Sequence, residues 1–126
     1  MKCLIITLTA LMIILSFPAS TLAGNKITIS VKVKPTKSDG KAWDFGGGAP
    51  DIKIKLYHPD LGKKSSPTAK DTYETSYTFD IGDAKGKLDV ELWDMDLAAH
   101  DYIGGCQIHY ATTGEYNCGR ATIYVR

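Results

Sequence analysis

No stretch of this 126-residue chain carries a convincing helical period. Leu97-Ala98-Ala99-His100 has room for one turn inside a loop and no more. No internal repeat is visible. Net charge is missing as well. Without Lys2, which belongs to the leader described below, basic and acidic residues are equal in number. A chain with no global basic field is not a candidate for nucleic-acid binding, so any electrostatic function must come from local clustering. Catalytic motifs are absent too. There is no Gly-x-Ser-x-Gly or His-Glu-x-x-His, and Gly46-Gly47-Gly48 is not followed by the Lys-Ser/Thr of a phosphate loop. His58, His100 and His109 are scattered, with no partner at a useful spacing. We therefore read the chain as a binding module, not an enzyme.

Cysteine is scarce. Cys3 lies in an N-terminal segment with a basic start at Lys2, an apolar run from Leu4 to Phe17, and small residues up to Ala23. This is the layout of a secretory signal peptide over residues 1–23, with a domain over 24–126. The apolar run is shorter than the roughly 20 residues a membrane span needs, which disfavours the rival reading as an anchor. Asn25 rather than Cys follows Gly24, against an acylated lipoprotein. The expected destination is export, either secreted or periplasmic, with the protein peripheral on a membrane as a further expectation. Cys106 and Cys118 then form an even pair in an oxidising compartment, where a disulfide is the default and two buried thiols the alternative.

What the chain has in quantity is alternation. Ile27 to Val33, Ile52 to Tyr57, Tyr73 to Ile81, Leu88 to Trp93, Ile103 to Tyr110 and Ala121 to Val125 all place apolar residues two apart. That period marks antiparallel strands with one wet face. Turns are legible at Asp39-Gly40, His58-Pro59-Asp60, Gly82-Asp83, Thr113-Gly114 and Cys118-Gly119. The expected fold class is all-β, a sandwich or barrel. The longest stretch without strand character runs from Lys34 to Pro50, and a loop of that length is usually functional or mobile.

Two loops are rich in aspartate. One offers Asp44 and Asp51, the other Asp94, Asp96 and Asp101. Asp94 and Asp96 are two apart, so at a strand end they point the same way and repel. A divalent cation would remove that repulsion. All-oxygen, carboxylate-rich sites suit calcium better than zinc or copper. The spacing is not that of an EF-hand, and aspartate as an ordinary turn residue is the plain alternative. Trp43, Phe45, Met95, Leu97 and Tyr102 are interleaved with the acids, and Trp93 is expected in the core. Outward-pointing Trp43, Phe45 and Leu97 would make a membrane-contact edge beside the cation.

Leu92-Trp93-Asp94-Met95-Asp96, then Asp101-Tyr102-Ile103-Gly104, resembles the third calcium loop of C2 domains. Asp44, Gly46-Gly47-Gly48, then Asp51-Ile52-Lys53-Ile54 resembles their first loop. Cys106, Gly114, Cys118-Gly119 and Ala121 to Tyr124 are similar to the secreted C2 domain that ends perforin. The resemblance implies an eight-stranded Greek-key C2 sandwich with the five acids at one end. It implies calcium held by Asp44, Asp51, Asp94, Asp96 and Asp101, and attachment to an anionic or zwitterionic phospholipid surface. Asp44 to Asp51 is one residue longer than the usual spacing and Asp96 to Asp101 one shorter, so Asp39 is an alternative to Asp44. A second reading is a structural module or one with a protein partner, in which calcium only rigidifies the loops. Lys53, Lys55, Lys63 and Lys64 are read as solvated strand-face lysines.

Overall fold

The computed structural model describes residues 25–44, 47–97 and 99–126. The expected signal peptide and Phe45 lie outside them. Eight strands are found among the described residues, and no helix: β1 (Asn25–Val33), β2 (Ile52–His58), β3 (Gly62–Ser65), β4 (Glu74–Gly82), β5 (Lys87–Met95), β6 (His100–His109), β7 (Gly114–Cys118) and β8 (Ala121–Val125). They form two four-stranded sheets, ordered β4-β1-β8-β7 and β3-β2-β5-β6. Every pairing is antiparallel. This is the expected all-β sandwich. His100 opens β6 and does not close a helical turn.

The alternation explains the layers. Ile27, Ile29, Val31 and Val33 of β1 face Ile52, Ile54 and Leu56 of β2 and Leu88, Val90 and Leu92 of β5 across one buried cluster. Successive strand residues point to opposite faces, so each of these series shares one side. The strands not legible as alternation are β3 and β7. The sequence Gly62-Lys63-Lys64-Ser65 has no buried side chain, and Gly114 to Cys118 buries only Cys118. Both are edge strands.

Cys106 of β6 and Cys118 of β7 are joined as a disulfide. The bond links the edge strand of one sheet to the edge strand of the other, across the turn at residues 110–113. Closing such a loop contributes roughly 3 kcal/mol on the chain-entropy account. The same edge is closed by backbone contact. A Cβ on Gly104 would lie only 1.8 Å from the carbonyl oxygen of Cys118, so this crossing admits glycine alone.

Candidate metal centre

Parity on β5 builds the centre. Leu88, Val90 and Leu92 point inward, and Asp94 is the next residue in that series. A carboxylate therefore occupies a core-facing position at the end of the sandwich, and it is fully buried. One oxygen is used: the Asp51 amide donates to Asp94 Oδ1 at 2.7 Å. The other, Oδ2, is buried and has no hydrogen-bond partner among the described residues, and the same holds for Asp44 Oδ1. Two such orphaned acceptors are unusual, because buried polar atoms are nearly always paired.

Asp44, Asp94 and Asp96 each bring an oxygen within 4.8 Å of the others. Oxygens on a single calcium, bound at 2.3–2.6 Å, can lie up to about 5 Å apart, so one ion can touch all three. Burial, then the charges of Asp96, Asp44 and Asp51, push the Asp94 carboxyl up to about 6, against the opposing Asp51 amide. Burial raises Asp44 as well, followed by Asp96, Asp51 and Asp71. The arrangement is short of positive charge, and its chemistry is that of a hard-cation site.

Three connections converge here. Residues 34–51, between β1 and β2, deliver Asp44 and Asp51. The end of β5 delivers Asp94 and Asp96. The connection between β3 and β4 delivers Asp71, which the sequence reading did not single out. Ile52 and Ala69 exchange backbone hydrogen bonds at 2.8 Å, which brings this third segment alongside Asp51. The Asp71 amide donates to Asp51 Oδ1 at 2.7 Å, and Asp71 Oδ1 accepts from the Ala49 amide at 3.2 Å. Asp71 has φ +51°, the one positive φ outside glycine among the described residues. Aspartate tolerates that conformation better than most residues. A lone Asp in Thr68-Ala69-Lys70-Asp71-Thr72 shows no pattern in sequence, and only the backbone reveals it.

The five expected ligands thus separate. Asp44, Asp94 and Asp96 are brought together. Asp51 is clamped beside them through its backbone, with its carboxylate turned to Asp71. Asp101 is ion-paired to Lys37, Oδ2 to Nζ at 2.7 Å. Asp39, the alternative to Asp44, accepts from the Lys41 amide at 2.9 Å within its own turn.

Two expectations about the aromatics are corrected. Trp43 is only 3% exposed and donates its indole N–H to the Lys34 carbonyl at 2.8 Å. It plugs the end of the core and is not available to a membrane. Trp93, expected inside, is half-buried on the outer face of β5, because it follows inward-facing Leu92. It packs edge-on against Tyr102 at 5.1 Å between centroids, with Lys55 Nζ 5.2 Å over its ring. Leu97 stands fully exposed beside the acids.

The strand-face lysines lie elsewhere. Lys55 and Lys63 line a cleft of about 610 Å³ on the outer face of β3-β2-β5-β6, together with Tyr57, Asp89, Glu91 and Gln107. The pairing register sets Lys55 opposite Glu91. Gln107 donates to Asp89 at 3.0 Å.

No family model matches the chain. Among solved structures, one described as a calcium-bound pair of C2 domains from extended synaptotagmin 2 is similar, with a TM-score of 0.51 at 15% identity. The match covers 81% of this chain and 44% of that one. A structure described as a C2 domain gives 0.49 at 17% identity, over 79% of this chain and 94% of that one. A C2 domain protein from Ramazzottius varieornatus gives 0.44 at 16% identity, over 82% and 87%.

Proposed function

We propose that this chain, whose sandwich has the fold of the C2 domains, is an exported calcium-binding module that attaches to phospholipid surfaces. The observation that carries the reading is the fully buried carboxylate of Asp94, with one oxygen unpartnered and Asp44 and Asp96 beside it. The residues fit the ion: every donor is a hard oxygen, and calcium takes six to eight such ligands. Asp44, Asp94 and Asp96 would hold it, and Asp51 and Asp71 flank them. Calcium-bound extended synaptotagmin 2, on the same fold, supports the assignment. Extracellular calcium modules bind at roughly 0.1–1 mM, and a site this exposed at its rim belongs in that range.

Calcium supplies positive charge that lipid phosphate can share. The protein supplies the rest. The Asp51 amide fixes the Asp94 carboxylate in place. Leu97 presents an aliphatic side chain at the same end, suited to the headgroup boundary. The disulfide between Cys106 and Cys118 supports the export reading, since such bonds persist in oxidising compartments.

Co-sedimentation with phosphatidylserine–phosphatidylcholine vesicles, in calcium and in chelator, tests this function. Pelleting in calcium alone is expected. Equal pelleting in both conditions would remove calcium from the mechanism. Calcium raising the melting temperature with no pelleting at all would leave a module whose loops the ion merely stiffens.

A further inference from the structure

Asp94 and Asp101 face one another across β5 and β6. Like charges directly opposite on paired strands are destabilising, so this pair needs a cation. The protein brings its own. Lys37 Nζ lies 2.7 Å from Asp101 Oδ2, with both side chains partly buried. The other ion pair among the described residues, Lys32 with Glu74, is looser at 3.7 Å and more exposed.

Lys37 is not a lysine that happens to reach an acid. Its backbone sits in a small hairpin pinned on three sides. Thr36 and Ala42 form a bridge at its base, and the Lys37 amide donates to the Lys41 carbonyl at 2.8 Å. The Arg120 guanidinium donates twice to the Thr36 carbonyl, at 2.8 and 3.0 Å. The Trp43 indole, bonded to Lys34, anchors the other leg, and its ring lies 6.0 Å from the Lys37 ammonium. Three acids act on that ammonium: Asp101 most strongly, then Asp39 and Asp94. Asp94 thus gathers with Asp44 and Asp96 through its carboxylate, and is in register with Asp101, the residue that Lys37 holds.

We infer that Lys37 is a tethered cation occupying the Asp101 side of the acid cluster, so that the domain takes a single divalent ion where its carboxylates would otherwise hold two. The inference rests on the calcium reading above. It assigns Asp101 to Lys37 instead of to the first ion, and it names the residue that sets stoichiometry.

Calorimetric calcium titration of the purified protein, of Lys37→Met, of Asp101→Asn and of the double variant tests it, with circular dichroism confirming the fold of each. One ion is expected in the wild type and two in Lys37→Met. One ion is expected again in Lys37→Met with Asp101→Asn. Asp101→Asn alone should keep the first ion within about threefold of wild-type affinity. One ion in a folded Lys37→Met overturns the inference, as do two in the wild type. Loss of the first ion in Asp101→Asn also overturns it, by making Asp101 a primary ligand. No ion in any of the proteins is a different result, which overturns the calcium reading and this inference with it.

Discussion

Two regions of the molecule collect charge, and they do so under opposite conditions. On the outer face of β3-β2-β5-β6, Lys55 and Lys63 share an open cleft with Asp89 and Glu91. Signs alternate there, solvent is close, and cross-strand neighbours neutralise one another. At the loop end, Asp44, Asp94 and Asp96 meet with one carboxylate fully buried and two oxygens unpartnered. The residue types are ordinary in both places. Solvent access separates them. Exposed pairs are worth at most about 1 kcal/mol, whereas an unpaired buried charge costs several. Only the second region creates a demand that an ion can meet.

The largest expected effect comes from removing that demand. Asp94→Asn with Asp96→Asn should weaken calcium binding at least about 100-fold in a calorimetric titration. The apo protein should melt no lower than wild type, because an asparagine oxygen can still accept from the Asp51 amide while the like charges are gone. A double variant that is unfolded without calcium would make these acids structural caps, and the contrast with the outer face would collapse.

Proton binding offers a milder neutralisation. The buried Asp94 carboxyl titrates at about 6 in the folded state, above its ordinary value of 3.8. Between those values the folded apo protein holds more protons than the unfolded chain, so its stability falls as pH rises through the window. The Asp94 contribution is on the order of 3 kcal/mol. Denaturant melts in chelator should therefore show higher stability at pH 5 than at pH 7. Calcium should reverse the trend, with affinity dropping below about pH 6 and protons released on binding. Apo stability that is flat across this range would show that Asp94 reaches solvent.

Leu97→Ala bears on the membrane half of the proposal. It should cut vesicle partitioning roughly tenfold, from about 1–2 kcal/mol of lost apolar burial, and leave calcium affinity in solution unchanged. Unchanged partitioning would place the contact elsewhere on the loop end. The smallest effect is expected on the outer face. Lys55→Ala with Glu91→Ala should shift stability by no more than about 0.5 kcal/mol and leave calcium titrations unaltered. A change in calcium affinity there would mean the two regions communicate.

The sandwich was legible because six strands carry period-two apolar series. Edge strands β3 and β7 were not, since an edge strand of Lys63-Lys64 or Glu115-Tyr116-Asn117 need bury little to pair. The Asp94–Asp96 motif was legible from spacing and turned out to meet Asp44 across the chain. Burial of Asp94 follows from the inward parity of Leu88, Val90 and Leu92, which also turns Trp93 outward. That parity was available in the sequence, but the size and apolarity of tryptophan argued for the core. Trp43 was misplaced for the converse reason. Nothing in a loop sequence tells which aromatic folds back over the open end of a sandwich. Asp71 and the Lys37–Asp101 pair depend on contacts between segments far apart in the chain, with no local pattern to announce them.

The covalent link between β6 and β7 bears on what a proteolytic cut would do to the fold. The turn between them, with Ala111, Thr112 and Thr113 exposed, is the kind of loop tip where cleavage concentrates. It lies inside the ring closed by Cys106 and Cys118. A cut there opens the ring but releases nothing: β8 remains tethered through Cys118, paired with β1 and β7, and its Ile123 stays in the core. A nicked molecule should run as one band without reductant and two with it, and still bind calcium.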